Sequence, residues 1–325
     1  MTRIIKHSAT IAQQELVNML THRRPARSKT EVAFVDHYID SLPQIYSDSY
    51  GNRYCKIGKA PSVLWSCHTD TVHTKDGNQS IVIDGDNVRL AKTEKQSSCL
   101  GGDDSAGVWI MRQMIKRRIE GLYIFHRDEE VGGLGSDFIA KNNARELEHI
   151  QVAIALDRRG YDSVITHQGL RTASDDFAKS LSKQLGGLYK PDSGGTFTDT
   201  ANYKRLIPEC SNLSCGYNDA HSALESQNIR FASQLLDRLC EIDFSKITVA
   251  RNPADIDDDL YYSRGSSFFD DDWHFTKPAR RSRRDTYQEL LDLVSLYPRE
   301  VADFLESQGF TADDIADQYG IYTQV

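Results

Sequence analysis

The strongest constraint on the fold of this chain is a series of short apolar runs, each closely followed by a histidine or an acidic residue. Residues 62–67 end at His68, residues 152–156 end at Asp157, and a third run, at 122–125, precedes three consecutive acidic residues. Runs of this length predict buried strands in a sheet that is covered by helices. Because ligands of open α/β sheets gather beyond the carboxyl ends of the strands, the pattern predicts a polar site at one edge of the sheet.

Segments of helical periodicity and a hairpin separate these strands. The fold class that we predict is α/β, with a three-layer mixed β-sheet flanked by helices. On the first helix, Ile11, Leu16 and Leu20 are expected to lie roughly on one face. The predicted elements are helices over 9–20, 28–42, 104–115, 174–185 and 229–239, a hairpin over 45–57, a strand over 210–215 and a last strand over 247–250.

Composition and charge limit the classes of partner. The 325-residue chain has a net charge of −8, which argues against a general nucleic-acid-binding surface. Its first residues form no sustained apolar stretch, so we predict neither a signal peptide nor a membrane span and expect a cytoplasmic protein. The six cysteines form no C-x-x-C pair, and several lie in apolar runs. We expect buried free thiols in a reducing compartment.

Two adjacent aspartates, Asp103 and Asp104, lie behind two glycines at the start of a predicted helix. Paired carboxylates at such a junction are costly unless a cation or a helix cap neutralises them. Taken alone, the loop is explained by a helix N-cap at Asp104 or Ser105. A second interpretation is favoured when this loop is considered together with His221 and the polar residues that follow the strands. One bridging carboxylate with two histidines and two further acidic groups is a ligand set for a pair of zinc ions.

Each of these residues also has an ordinary explanation. A lone histidine at a strand end is often a satisfied core histidine, three consecutive acids can form a charged loop, and Asp157 can simply end a strand. Asp70, two residues after His68, favours the functional interpretation, because alternation places both side chains on one side of an extended backbone. Asp70 can then orient the imidazole of His68 or a neighbouring group.

Together, these motifs resemble those of the co-catalytic dizinc metallopeptidases. This superfamily includes peptidase T-like tripeptidases, carboxypeptidase G-like enzymes and bacterial leucyl aminopeptidases. Residues 68–72 (His-Thr-Asp-Thr-Val) resemble its first motif, residues 102–107 (Gly-Asp-Asp-x-x-Gly) its second, and residues 128–135 (Asp-Glu-Glu-Val-Gly-Gly-Leu-Gly) its third. The resemblance covers roughly residues 16–250.

The resemblance implies a role for each ligand-type residue. Asp103 would bridge two zinc ions, for which Co²⁺ or Mn²⁺ can substitute. Asp157 and His68 would together bind one ion, and His221 and Glu130 would together bind the other.

The resemblance also implies how catalysis would proceed. Glu129 would be the general base that activates a metal-bridging water, and Asp70 would support catalysis from behind His68. In the family, the peptide bond that corresponds to Asp103–Asp104 is cis.

The chain departs from the pattern of many relatives in two places. Many relatives carry a second domain, used as a lid or for dimerisation, after the fourth ligand. Here Asp157 and His221 are separated by 64 positions (221 − 157), most of which the predicted strands and helix occupy. The resemblance therefore implies the single-domain architecture. Some single-domain relatives have a further histidine downstream, and no equivalent histidine is obvious in this chain. Residues 198–200 (Thr-Asp-Thr) stand in that region.

The composition changes after residue 250. We predict a zinc-peptidase catalytic domain over 1–250, a charged and flexible linker over 251–285, and a small helical C-terminal module over 286–325. The module either docks on the catalytic domain as a cap, or mediates self-association or binds a protein partner.

The resemblance implies an exopeptidase that hydrolyses peptide bonds of short peptides, either an aminopeptidase or a di- or tripeptidase. An N-acyl amino acid or related amide deacylase, built on the same site, is the nearest alternative. A non-catalytic binding protein on a peptidase scaffold is the third. The expected partners are a peptide or small amide substrate, with neither nucleic acid nor membrane.

Overall fold

The computed structural model describes residues 10–254. The strands are β1 (His22–Arg23), β2 (Tyr46–Ser47), β3 (Arg53–Ile57), β4 (Val63–His68), β5 (Gly77–Asn78), β6 (Ile81–Asp84), β7 (Asn87–Leu90), β8 (Gly121–His126), β9 (Val152–Arg158), β10 (Ser163–Ile165), β11 (His167–Gln168), β12 (Leu170–Arg171), β13 (Lys190–Asp192), β14 (Glu209–Ser214), β15 (Tyr217–Asn218) and β16 (Ser226–Asn228).

The central sheet has eight strands in the order β13-β10-β14-β9-β4-β8-β3-β2. Its middle strands β14, β9, β4 and β8 run parallel to one another. Strand β3 is antiparallel to β8, and β10 is antiparallel to β14, so the sheet is mixed. The parallel register places the carboxyl ends of β4, β8 and β9 at the same edge. A separate antiparallel sheet has the order β15-β16-β7-β6.

Helices cover both faces of the central sheet. They are α1 (Ile11–Met19), α2 (Lys29–Phe34), α3 (Gly102–Lys116), α4 (Leu134–Asn142), α5 (Asp175–Gln184) and α6 (Ile229–Cys240), with a π-helical turn at Val35–Ile39 and 3₁₀ turns at Ala144–Leu147, Asp199–Tyr203 and Phe244–Lys246.

Successive residues of the buried strands pack on opposite faces of the sheet, as the alternation of a strand requires. Trp65 of β4 belongs to the large apolar core that contains residues of α1, α3, α5 and α6, whereas Leu64 belongs to a smaller core with Ile139 of α4. The predicted three-layer α/β fold with a mixed sheet is confirmed.

Two details of the prediction are wrong. Ile11, the first residue of α1 after its cap Thr10, is 94% exposed, whereas Leu16 and Leu20 are buried, so the three side chains do not share one environment. Residues 247–250 form no strand. Their backbone is held by side chains instead: the N–H of Thr248 donates to Ser180 Oγ, and the N–H of Ala250 donates to Glu209 Oε1.

The predicted free thiols are confirmed. Cys240 is half-buried and the other five cysteines are buried, and none forms a disulfide. Within residues 10–254, no helix has the length and apolar character needed to cross a bilayer. The predicted linker, apart from residues 251–254, and the predicted C-terminal module lie outside the described residues.

Candidate metal centre

The ends of three parallel strands and two neighbouring turns bring the predicted ligands together. His68 is the last residue of β4, Asp157 the last but one of β9, and Glu130 lies just beyond β8. Asp103 lies in the first turn of α3, and His221 lies in the turn between β15 and β16. All five residues meet at the carboxyl edge of the sheet, where the sequence predicts a polar site.

His68, Asp103 and Asp157, which we call cluster one, form the buried half of this centre. The Nε2 atom of His68 lies 3.0 Å from Asp103 Oδ1 and 3.5 Å from Asp157 Oδ1. The three ligand atoms all lie within 4.8 Å of one another, so a single cation could contact all of them.

Asp103, Glu130 and His221, which we call cluster two, form the more open half. The Nε2 atom of His221 lies 3.2 Å from Asp103 Oδ2 and 3.4 Å from Glu130 Oε2. These ligand atoms also lie within 4.8 Å of one another. Asp103 therefore directs one carboxylate oxygen to each cluster, which is the geometry of a bridging ligand.

The carboxylates of the centre are crowded and hold excess negative charge. Burial raises the pKa of Glu130 well above its usual value, and the nearby Asp103 raises it further. Burial and Asp103 likewise raise the pKa of Asp157. The hydrogen bond to Asp103 raises the pKa of His221 to about 9. A cation bound among these carboxylates would offset the repulsion between them.

The donor set fits a pair of divalent metal ions. Imidazole nitrogen and carboxylate oxygen are the ligands that Zn²⁺ and similar transition metals take in proteins. Glu130 Oε1 is buried and has no hydrogen-bond partner among the described residues. A buried carboxylate oxygen without a partner is costly, and a cation would remove this cost.

Asp70 connects His68 to the two glutamates. Its backbone carbonyl lies 3.1 Å from His68 Nδ1, while its carboxylate oxygen Oδ1 lies 3.6 Å from the same nitrogen. A proton on Nδ1 leaves Nε2 free to bind a cation in cluster one. The Asp70 carboxylate accepts the N–H groups of Glu129 at 3.2 Å and Glu130 at 3.1 Å. The orientation of His68 thus depends mainly on the Asp70 carbonyl, whereas the carboxylate holds the glutamate backbone.

Glu129 lies half-buried beside the clusters in a tightly held turn. Its carbonyl accepts two N–H groups from the glycines that follow. Asp128, directly before it, adopts a left-handed conformation with φ of 60°. Arg27 holds the Asp128 carboxylate through a 2.9 Å ion pair. Burial raises the pKa of Glu129 well above its usual value.

Asp104 caps the start of helix α3, which is one of the roles that the sequence allowed for it. Its Oδ1 accepts the N–H of Gly107 at 2.8 Å in the first turn of α3, and its Oδ2 accepts the N–H of His68 at 3.3 Å. The Asp103–Asp104 peptide bond is cis, as the resemblance implies. The helix-cap interpretation therefore holds for Asp104, while Asp103 faces both clusters.

Three further residues contact the centre and were not assigned a role from the sequence. Thr198 donates its hydroxyl to Asp157 Oδ2 at 2.6 Å, and Tyr217 donates to Asp157 Oδ1 at 3.0 Å. Glu225 accepts backbone N–H groups of the loop that carries Asp103. The sequence gives only a weak signal for them: Thr198 belongs to the segment 198–200, and Tyr217 and Glu225 lie four positions before and after His221.

Comparison with solved structures identifies the fold. The aminopeptidase PepT of Bacillus cereus is 14% identical, with a TM-score of 0.55 over 70% of this chain and 97% of that one. A tripeptidase of Staphylococcus aureus is also 14% identical, with a TM-score of 0.57 over the same shares. The TET1 peptidase of Pyrococcus horikoshii is 15% identical, with a TM-score of 0.51 over 70% of this chain and 98% of that one. This chain has the fold of these peptidases.

The likeness lies in the peptidase fold rather than in the overall sequence. No protein-family model matches the chain, and a search of curated proteins returns no match. The fold was predicted from apolar runs and helical spacing, and the five converging ligand-type residues were predicted from the positions and motifs in which they lie.

Proposed function

We propose that the chain is a metal-dependent exopeptidase that hydrolyses short peptides. The single observation that carries this proposal is the bridging position of Asp103, which gives one oxygen to cluster one and the other to cluster two. A non-catalytic cation site needs no second cluster and no half-buried carboxylate beside it. The peptidase fold supports the same conclusion.

The residues that would hold the metal pair are those of the two clusters. Cluster one would hold one ion through His68 and Asp157, cluster two would hold the other through Glu130 and His221, and Asp103 would serve both. When bound, two divalent ions supply an activated water and polarise the scissile carbonyl.

Glu129 is the residue that we assign to proton transfer. Its backbone is fixed by Asp70 and by the turn that follows. Its carboxylate interacts electrostatically with His68 and Asp157 of cluster one and with Glu130 of cluster two. The carboxylate of Glu129 would accept a proton from the attacking water and then pass it to the amine that leaves. Asp70 would act through its neighbours, by fixing His68 and the backbone of the two glutamates.

Exposed apolar side chains border the centre and indicate the kind of substrate. Val131 and Leu134, in the turn after Glu130, are 52% and 40% exposed, and Phe197 is 43% exposed. Phe197 packs against this turn and directly precedes Thr198, which holds Asp157. Adjacent exposed apolar side chains bordered by polar groups are typical of a binding surface. We propose that this surface accepts an apolar side chain of a short peptide.

The test combines metal content with a substrate panel. Purified full-length protein is expected to contain or take up two divalent ions, and to release amino acids from short peptides, with apolar residues preferred over charged ones. Cleavage confined to N-acyl amino acids would support the deacylase alternative instead. Metal uptake with no hydrolysis of either class would support a binding protein. Absence of metal, together with no activation by Zn²⁺, Co²⁺ or Mn²⁺, would contradict all three.

We also propose self-association. The TET1 peptidase of P. horikoshii can assemble into a tetrahedron or a large octahedral shell. Light scattering of the full-length protein, measured over a range of concentrations, would give its mass; a monomer at every concentration would contradict the proposal.

A further inference from the structure

Glu225 is a buried carboxylate whose partners are backbone groups of the metal-binding loop. Its Oε2 accepts the N–H groups of Leu100 at 2.8 Å and Gly101 at 2.9 Å, and its Oε1 accepts the N–H of Asp103 at 3.1 Å. Glu225 is 1% exposed. A carboxylate bound by three N–H groups satisfies backbone donors that precede or begin α3 and that would otherwise be unpaired.

Glu225 also holds the turn that carries His221, the other loop of cluster two. Glu225 lies four positions after His221 and closes the intervening turn through the bond from its N–H to the carbonyl of Ser222. The side chain of His221 is 54% exposed, and its φ of 62° is left-handed, so little packing holds this turn in place. Glu225 thus connects the turn that carries His221 to the loop that carries Asp103.

Cluster one does not depend on this connection to the same degree. His68 is held by Asp70, and Asp157 is held by the hydroxyls of Thr198 and Tyr217. His221 has no comparable anchor among the described hydrogen bonds.

We propose that Glu225 is a positioning residue that sets the metal affinity of cluster two by fixing Asp103 relative to His221. The inference rests on the proposed function, because it requires the metal pair. Glu225 binds no metal and touches no substrate; it acts through the two loops.

Glu225→Gln tests this inference with little change of volume. An amide has one acceptor oxygen, so whichever way it turns, its NH₂ group faces at least one backbone N–H that the carboxylate had bound. Metal-free full-length protein is titrated with Zn²⁺ against a chromophoric chelator. Two binding steps are expected for the unsubstituted chain, and His221→Ala and His68→Ala identify which step belongs to which cluster.

In Glu225→Gln the cluster-two step is expected to weaken by about 10–100-fold. The cluster-one step shares Asp103 and is expected to weaken less, because His68 and Asp157 keep their own partners. Amide exchange of the metal-free protein gives a readout that does not involve metal or activity: Leu100, Gly101 and Asp103 are expected to exchange faster. Glu225→Asp keeps the charge but is shorter, so an intermediate affinity is expected; it also replaces the amide variant if that variant does not fold.

Glu209 offers a matched control. It is equally buried and is the first residue of β14, at the end of that strand away from the clusters. It accepts the N–H groups of Ser174, Ala250 and Arg251. Glu209→Gln therefore makes the same chemical change and removes similar hydrogen bonds, and it is expected to lower stability without changing either metal step.

Two results would overturn the inference. Unchanged binding in Glu225→Gln, or equal weakening of both steps, would show that Glu225 only caps the helix or only adds charge. If instead the unsubstituted chain binds no divalent ion, the proposed function fails, and the inference fails with it; the two failures are thus distinguished by the unsubstituted protein.

Discussion

The hydroxyl of Thr198 donates a 2.6 Å hydrogen bond to Oδ2 of Asp157, a ligand-type residue at the end of β9. Both residues are nearly excluded from solvent, and Tyr217 binds the other oxygen of the same carboxylate. A carboxylate held at both oxygens has little freedom to rotate. Thr198 therefore contributes to the centre by holding the carboxylate of a ligand-type residue.

Thr198→Val is expected to weaken cation binding at cluster one by about 10–100-fold, because valine keeps the volume and removes the hydroxyl that orients Asp157. Chelator competition measures the change, and Thr198→Ser is expected to restore most of the affinity. Thr200→Val is the matched control: Thr200 is also buried, and its hydroxyl bonds the carbonyl of Ser211 rather than the centre. Equal effects of the two valine variants would argue against a specific role for Thr198.

Glu129→Gln and Glu130→Gln separate the two adjacent glutamates. The first is expected to lower kcat by about 10²–10⁴-fold while both metal ions remain, since a general base contributes about this much. The second is expected to lose the cluster-two ion, because Glu130 Oε2 lies 3.4 Å from His221 Nε2. Metal analysis and steady-state kinetics on the same samples decide the point. Metal loss in the first variant and metal retention in the second would reverse the two roles.

The truncated chain 1–254 tests the predicted division into domains. All five proposed ligands precede residue 251, so the fragment is expected to fold, bind two metal ions and keep its activity. The cut is placed after 254 because Arg251 still packs on the domain, donating to the carbonyls of Pro208 at 2.8 Å and Lys204 at 2.7 Å. Circular dichroism, metal analysis and kinetics measure the result. An unfolded fragment, or one that binds metal but is inactive, would show that residues after 254 complete the core or the cleft.

The sequence predicted the parts of the molecule that are encoded locally. Apolar runs predicted β4, β8 and β9, and because ligands collect at the ends of parallel strands, the positions of His68 and Asp157 followed from their strands. Helix α5 followed in the same way from the helical spacing over 174–185, and Phe177 and Leu181 lie on its buried face.

The contacts that depend on long-range folding could not be predicted. Glu225 meets Leu100 across 125 positions, and Tyr217 meets Asp157 across 60. Neither residue lies in a motif, and no local pattern indicates which loops will meet. The error at 247–250 has a similar origin: the segment has strand-like residues, but side chains bind the N–H groups of Thr248 and Ala250, and no strand within residues 10–254 pairs with it.

His73 predicts a pH dependence of stability that is separate from the metal centre. Burial, reinforced by Arg24 and Arg23, lowers the pKa of His73 from 6.5 to about 4, although hydrogen bonds to Gln79 and to the Cys99 carbonyl oppose the shift. The neutral ring fits its site, because Nε2 can donate to Gln79 Oε1 at 3.0 Å while Nδ1 accepts the hydroxyl of Thr71 at 2.7 Å.

The sign of the effect follows from linkage. Above pH 6.5 both the folded and the unfolded chain hold His73 neutral, so its contribution to stability is complete. As the pH falls below 6.5 the unfolded chain binds a proton that the folded chain does not bind until about pH 4, and stability decreases. Between pH 7 and pH 5 this one group is expected to remove about 2 kcal/mol from the free energy of unfolding.

Urea unfolding of metal-free protein at the two pH values measures the loss. His73→Gln is expected to be less stable at pH 7 but to lose about 2 kcal/mol less on acidification than the unsubstituted chain. Exposed His37→Gln is the control for the chemical change itself, and an identical loss in all three proteins would contradict the assignment to His73.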